Sequence, residues 1–241
     1  MGKYFLSFFL FIHSYPNVNL GNLSFDKIFP DEFKEANQFF ISNKKCFKDF
    51  SIKSGNDPYL VTSLVFPELM RYSLISDFIE SSVLEWVYAE MGSAAADFSI
   101  GRFQMKPSFA ESVEDEILKS EELKVKYKNL LIPSSLSSID QRRKRLIHLS
   151  NLQFQLLYLN AFVSICEIRF NSAIPLQTKD KVKLFSTAYN SGFLLSQEKL
   201  IQSSNQKLFP YGLKYKGTQY SYQEVSQYFF DLIKSKSVFG Q

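Results

Sequence analysis

Apolar residues recur every three to four positions in several long segments of this chain, which predicts amphipathic helices. The first such segment covers residues 31–50. It follows Pro30, and Asp31 is a candidate N-cap. Its apolar stripe consists of Phe33, Ala36, Phe40, Phe47 and Phe50.

The longest segment with this period covers residues 140–170, and its stripe places Cys166 on the buried face. Two further helices are predicted at residues 178–190 and 223–235, and the Pro/Ser-rich residues 131–138 form a loop. Gly and Pro together number 9 + 8 = 17 of 241 residues, a low content of turn-forming residues. The sequence therefore predicts an all-α fold, with residues 23–241 as one domain.

A further helix begins at residues 55–58 (Gly-Asn-Asp-Pro), where Asp57 can cap and Pro58 takes the first helical position. It is apolar through residue 66. Pro67 is expected to end or kink it, because proline removes a backbone donor. Another apolar stripe predicts a helix at about residues 73–91.

The composition limits the chemistry available to the chain. There are two histidines and two cysteines, so a four-ligand zinc site would need all of them. We expect no metal and no cofactor. The net charge of +4 is too weak to predict nucleic-acid binding, and the basic cluster at residues 142–145 is interpreted as a solvated face, with contact to an anionic polymer as the alternative. We expect a monomer.

Residues 1–22 have the layout of a secretory signal peptide. Lys3 precedes an apolar run at residues 4–12, which is too short to span a bilayer, and a polar stretch follows. An amphipathic or buried first helix is the alternative. No other stretch is long and apolar enough to span a membrane. The prediction is a soluble, periplasmic protein.

Glu68 is the strongest catalytic candidate. It follows Pro67 and has apolar neighbours in sequence, and desolvation raises the pKa of a carboxylic acid. Such a group can stay protonated near neutral pH and donate a proton to a glycosidic oxygen. A solvated or capping glutamate is the alternative interpretation.

Two other stretches contain residues suited to binding a polar ligand. In residues 95–107, Gly101 allows close backbone approach, Gln104 offers amide donors and an acceptor, and Phe103 and Met105 offer an apolar surface. Residues 185–192 end a predicted helix with Tyr189 and Asn190, followed by a glycine.

In this order the three stretches resemble the soluble lytic transglycosylase family, a branch of the lysozyme-like superfamily that includes goose-type lysozymes. The matching features are Asp57-Pro58 with Glu68 ten positions after the proline, Gly101 to Pro107, the apolar helix at residues 151–170, and Ala-Tyr-Asn-Ser-Gly at residues 188–192. The resemblance covers about residues 43–193 and implies a lysozyme-like helical domain with a substrate groove.

The resemblance also implies a function and a role for each matching residue. The substrate would be peptidoglycan glycan strands, with Glu68 as acid and then base between N-acetylmuramic acid and N-acetylglucosamine, producing 1,6-anhydro ends. Tyr189 would hold the Glu68 carboxyl by a hydrogen bond. The residues implied to line the sugar groove are Ser99, Gly101, Phe103, Gln104, Met105 and Asn190.

The sequence departs from the family pattern in ways that leave alternatives open. Leu69 stands where the family has Ser, and the helix at 73–91 is an apparent insertion, so Glu80, which Ser81 follows, is a rival acid. Asp97 could position water and make the enzyme a hydrolase (a muramidase), although an N-cap or turn role is preferred. Cys46 and Cys166 could pair in the periplasm, but free thiols are preferred.

Two alternatives differ in class from an enzyme. The missing Ser after Glu68 suggests a catalytically silent peptidoglycan-binding or assembly protein on the same scaffold. A purely structural helical bundle is the third interpretation, and it predicts that Glu68, Gln104 and Tyr189 do not meet in one cleft.

Overall fold

The computed structural model describes residues 23–74, 81–170, 176–211 and 216–240. These residues form eleven helices and one two-stranded antiparallel sheet, which confirms the predicted all-α class. The helices are α1 (Phe25–Ile28), α2 (Pro30–Lys53), α3 (Pro58–Leu74), α4 (Ser81–Met91), α5 (Pro107–Leu118), α6 (Glu121–Lys126), α7 (Ser138–Ser150), α8 (Leu152–Phe170), α9 (Thr178–Ser191), α10 (Gln197–Ser203) and α11 (Tyr222–Ser235). The strands are β1 (Lys207–Phe209) and β2 (Tyr220–Ser221), which pair Lys207 with Ser221 and Phe209 with Tyr220. The predicted signal peptide (residues 1–22) and Glu80 lie outside the described residues.

The central element is α3, which packs against α2, α8, α9 and α11. Residues 59–70 of α3 are all buried, so this helix is enclosed on every side. The expectation that Pro67 ends or kinks the helix at residue 66 is wrong about the end, because α3 continues to Leu74. Pro67 has no backbone N–H, so the helix lacks one backbone hydrogen bond there, and packing on all sides offsets that loss. Asp57 does cap α3, with its Oδ1 accepting from the backbone N–H of Tyr59 at 2.9 Å.

The predicted long helix at residues 140–170 is two helices, α7 and α8, separated at Asn151. Asn151 is extended (φ −104°, ψ 124°), and its Oδ1 accepts from the backbone N–H of Gln153 at 2.9 Å. An asparagine in this role is a favourable N-cap for the second helix. The apolar stripe continues across the break, and this is why periodicity alone does not reveal it. Cys166 is buried, as predicted.

Helix α2 also differs from its prediction at its start, because it begins at Pro30 and its N-cap position is Phe29, not Asp31. Four helices, α1, α5, α6 and α10, were not predicted from the sequence. Cys46 and Cys166 are free thiols, as preferred. Within the described ranges, none of the helices combines the length and apolar character that crossing a membrane requires.

The basic cluster at residues 142–145 is not simply a solvated face. Arg142 Nη1 donates to the carbonyls of Ala89 (3.0 Å) and Glu90 (2.9 Å) at the end of α4. A guanidinium in this position satisfies carbonyls that a helix C-terminus leaves without partners. Arg145 is buried, with its Nη2 2.6 Å from Glu114 Oε2. The cluster therefore fixes α7 to α4 and α5.

Candidate active site

Glu68 lies in the last two turns of α3, and its side chain is buried, with 6% of the residue exposed. Its Oε1 accepts a hydrogen bond from Arg71 Nη1 at 2.9 Å. The Tyr222 hydroxyl, which donates to the Leu64 carbonyl at 3.0 Å, also contacts the Glu68 carboxyl. A carboxyl group that the sequence placed after a helix end is thus held inside the helical core.

Arg71 is held in place by groups from two other parts of the chain. Its Nη1 also donates to Asn190 Oδ1 at 3.3 Å, and its Nε donates to the Pro210 carbonyl at 3.0 Å. The guanidinium carbon lies 5.4 Å from the ring centroids of both Phe209 and Tyr222, within the range of cation–π attraction.

Burial raises the pKa of the Glu68 carboxyl above its ordinary value, because the charged form loses its hydration. The charge of the Arg71 guanidinium offsets part of that rise, and the nearby Tyr222 hydroxyl adds to this effect, since both favour the carboxylate. Burial and the nearby Glu68 carboxyl also raise the pKa of Tyr189 and of Tyr222 well above the usual range. Both phenols are therefore neutral donors at physiological pH.

A tight turn at residues 100–105 forms a second wall of the site. Ile100 and Met105 exchange backbone hydrogen bonds of 2.9 and 3.1 Å, and Gly101 and Gln104 both have positive φ (68° and 50°). Gln155 of α8 anchors the turn, with its Oε1 accepting from the Phe103 N–H at 3.1 Å. A Cβ at Gly101 would lie 1.6 Å from Gln155 Nε2, so close approach requires glycine here.

These elements enclose a cavity of about 150 Å³ beside Glu68. It is lined by Glu68, Arg71, Ser99, Gln104, Met105, Lys106, Phe109, Tyr189 and Asn190. A second cavity of about 450 Å³ shares the four residues Lys106, Phe109, Tyr189 and Asn190 with the first. The second cavity extends along Ser191–Leu195 on one side and Asp97, Ser108 and Ser112 on the other. The two cavities adjoin through their shared residues, and the two together are called the recess below.

The structure brings together six of the eight residues predicted for the site. Those that line the smaller cavity are Glu68, Ser99, Gln104, Met105, Tyr189 and Asn190. Gly101 and Phe103 were expected to line the groove, but they do not line either cavity. The Phe103 side chain is fully buried against Phe47, with ring centroids 5.6 Å apart, because it faces the core side of the turn. Gly101 instead makes room for Gln155.

Tyr189 also has a different partner from the one predicted. Its hydroxyl donates to the Phe103 carbonyl at 2.8 Å rather than holding the Glu68 carboxyl. The groups that contact that carboxyl are Arg71 and Tyr222. Tyr189 thus fastens α9 to the turn at residues 100–105, and its ring forms part of the cavity wall.

Four further residues belong to the site and were not predicted from the sequence: Arg71, Lys106, Phe109 and Tyr222. For Arg71 a signal existed, because residues three apart on a helix lie on the same face. Because the helix was expected to end or kink at Pro67, Glu68 and Arg71 were not predicted to lie on the same helix face. Tyr222 lies about 150 positions further along the chain and gave no local signal.

Asp97 takes the preferred capping role. Its Oδ1 accepts from the Ser108 N–H at 3.0 Å and its Oδ2 from the Ser108 hydroxyl at 2.8 Å, at the first turn of α5. Asp97 lines the larger cavity but not the one that contains Glu68.

Over the ranges that the structure describes, no group of three or more His, Cys, Asp or Glu side chains is arranged to hold a metal ion. No protein-family model matches this chain, and neither a curated protein nor a solved structure matches it.

Proposed function

We propose that this protein is a peptidoglycan lytic transglycosylase with a lysozyme-like domain, acting in the periplasm after removal of residues 1–22. The observation that carries the proposal is a buried glutamic acid facing a cavity whose other walls are a Tyr-Asn pair and a Gln-bearing turn. A carboxyl group with a pKa raised by burial is suited to act as a general acid.

The proposed reaction uses Glu68 twice. The protonated carboxyl gives its proton to the glycosidic oxygen that links N-acetylmuramic acid to N-acetylglucosamine, and the bond from that oxygen to the anomeric carbon breaks. The Glu68 carboxylate then takes the proton of the muramoyl 6-hydroxyl, and that oxygen bonds to the anomeric carbon. The product is a 1,6-anhydro ring, no water is consumed, and Glu68 is protonated again.

The lining of the recess supports a carbohydrate substrate. Gln104 and Asn190 carry side-chain amides, and Phe109 and Tyr189 carry aromatic rings, which together suit the hydroxyl edges and apolar faces of sugars. The cavity of about 450 Å³ that adjoins the one beside Glu68 offers room for sugar units beyond the cleaved bond.

The decisive experiment is mass spectrometry of purified sacculi digested with the protein. We expect soluble products with 1,6-anhydro ends, and Glu68→Gln should lower the rate at least a hundredfold because the general acid is lost. The matched control is Glu198→Gln, which removes an exposed carboxylate on α10 and should leave the rate unchanged. Because the acid must be protonated, the rate should fall as the pH rises through the pKa of Glu68.

Two other results would change the assigned reaction or the assigned catalytic acid. Reducing ends in place of anhydro ends would indicate a muramidase that hydrolyses the same bond. An unchanged rate for Glu68→Gln together with loss of activity in Glu80→Gln would move the acid to the rival glutamate.

A catalytically silent peptidoglycan-binding protein is the second candidate. The observation that favours it is the ion pair between Glu68 and Arg71, with 2.9 Å between the oxygen and the nitrogen, because an ionised Glu68 cannot donate a proton. Retention on sacculi without release of soluble muropeptides would support this candidate over the enzyme.

A further inference from the structure

Arg71 is more enclosed than Arg102, the other arginine near the site. Its side chain is 17% exposed, and three hydrogen bonds and two aromatic rings fix the guanidinium. By contrast, Arg102 lies over the Tyr72 ring and pairs with Glu35, with 39% of its side chain exposed.

The contacts of Arg71 also join distant parts of the chain at the candidate acid. One nitrogen, Nη1, is shared between Glu68 Oε1 of α3 and Asn190 Oδ1 of α9. The Nε is occupied by the Pro210 carbonyl, directly after β1, and the two flanking rings come from β1 and α11. Phe209, Pro210 and Tyr222, together called the C-terminal segment below, therefore determine where the positive charge lies relative to the Glu68 carboxyl.

We propose that Arg71 is a positioning residue that stabilises the carboxylate form of Glu68 and holds it toward Asn190 and the cavity, with the C-terminal segment fixing the guanidinium. This inference deepens the proposed function and rests on it for its catalytic meaning. The stabilisation of the Glu68 carboxylate by Arg71 depends only on the geometry of these two side chains.

In the proposed reaction the carboxylate exists only between the two proton transfers. When Glu68 gives its proton to the glycosidic oxygen, negative charge develops on the carboxyl 2.9 Å from Arg71 Nη1. A charge-assisted hydrogen bond favours that form. When the carboxylate takes the proton of the 6-hydroxyl, the charge disappears and Arg71 keeps its bonds to Asn190 and Pro210. Arg71 neither gains nor loses a proton, because guanidinium remains protonated in proteins.

The titratable groups that face Glu68 come from four parts of the fold. Arg71 lies on the same helix, Tyr189 on α9 and Tyr222 on α11, and Lys106 precedes α5 and lines the same cavity. The two phenols stay neutral at physiological pH, so they do not act on Glu68 as charges. Replacing Arg71 by an unbranched neutral side chain therefore removes its charge and leaves these other groups in place.

The test is an NMR titration of the Glu68 side-chain carboxyl carbon in the full chain, with the resonance assigned by its absence from Glu68→Gln. Arg71→Met should raise the pKa of Glu68 by about 1–3 pH units, because a close opposite charge is lost. Arg71→Lys should raise the pKa of Glu68 by less than Arg71→Met does, since an ammonium keeps the positive charge but lacks the planar set of N–H donors of a guanidinium. The matched control, Arg102→Met, removes a cation stacked on the neighbouring Tyr72 and should leave the pKa unchanged.

If wild-type protein cleaves sacculi, the alkaline limb of kcat/KM for Arg71→Met should move to higher pH by as much as the pKa of Glu68 rises. In addition, kcat should fall, because Glu68 becomes a weaker acid. The expected fall is up to about tenfold for each pH unit by which the pKa of Glu68 rises. A structural role alone would lower the Tm of the variant without moving either the pKa or the limb.

An unchanged Glu68 pKa in folded Arg71→Met would overturn the inference. Where that variant does not fold, Arg71→Lys decides the question. Lysine is shorter than arginine, so its nitrogen lies farther from the Glu68 oxygen and the pKa of Glu68 should still rise measurably. A pKa identical to that of wild type would count against the inference. If wild-type protein releases nothing from sacculi, the proposed function fails, while the titration still decides the role of Arg71.

Discussion

At the scale of single residues, His148 is a buried imidazole with no role in the candidate site. It is 4% exposed and stacks on Phe154 with ring centroids 3.9 Å apart. Burial lowers its pKa to about 4, and the nearby Lys144 and Arg145 charges add to that effect. The folded protein therefore keeps His148 neutral in a pH range where the unfolded chain protonates it.

This difference predicts a pH dependence of stability. Between the ordinary pKa of 6.5 and about 4 the unfolded chain binds the extra proton, so stability is lost as the pH falls through that window. The loss is about 3 kcal/mol at most, from the free energy that corresponds to the difference between those two pKa values. Urea unfolding of wild type and His148→Leu from pH 7 to pH 4 measures it, and the variant should show a shallower decline. Parallel curves for the two proteins would refute the assignment to His148.

At the scale of elements, the start of α5 depends on a side chain ten residues before the helix begins. Asp97 accepts from both the backbone and the hydroxyl of Ser108, while the residue at the N-cap position, Lys106, makes no side-chain cap. The negative charge of Asp97 also lies favourably near the positive end of the helix dipole. Because α5 supplies Phe109 to both cavities, this cap supports one wall of the site.

The cap predicts a graded effect of two substitutions. Asp97→Ala should lower the free energy of unfolding by about 1 kcal/mol, as the loss of an N-cap does. Asp97→Asn keeps an oxygen acceptor and should lose less. Chemical denaturation of the two variants measures the difference, and sacculus digestion by Asp97→Asn should give the same products as wild type. A change from anhydro to reducing ends, or the reverse, would instead assign Asp97 to the chemistry.

At the scale of the whole molecule, a buried polar network joins four helices on the side of the protein that carries α4. Arg145 of α7 binds Glu114 of α5 through two hydrogen bonds of 3.0 and 2.6 Å, and its Nη1 donates to the Tyr88 hydroxyl of α4 at 2.7 Å. The Tyr158 hydroxyl of α8 donates to Glu114 as well. Both charged groups are buried, so each depends mainly on protein partners rather than on water.

Breaking this network should be far more damaging than breaking a surface ion pair. Glu114→Ala leaves Arg145 buried with only the Glu111 carboxylate, 3.3 Å from its Nη1, as an anionic partner. The free energy of unfolding should fall by at most about 3–5 kcal/mol. The comparison variant is Glu121→Ala, which removes an exposed partner of Lys124 and should change stability by less than about 1 kcal/mol. Equal effects in thermal unfolding would show that the network contributes little beyond surface pairing.

The helical class, the positions of α2, α9 and α11 to within a few residues, and six of the nine residues that line the smaller cavity could be predicted from the sequence. These follow from local information: apolar period, capping residues and short motifs act over one or two turns. Glu68, Gln104, Tyr189 and Asn190 belong to the short motifs that carry the resemblance to lytic transglycosylases, and the structure places all four on one cavity.

The contacts of Glu68 could not be predicted from the sequence, because they depend on how the helices pack. Arg71 comes within reach because α3 continues through Pro67, and α3 continues because α2, α8, α9 and α11 enclose it. Tyr222 and the Pro210 carbonyl arrive from more than a hundred residues away, and Phe103 turns into the core rather than the cavity. Such contacts depend on which faces pack together. A periodic pattern shows that a face is buried but not which partner covers it.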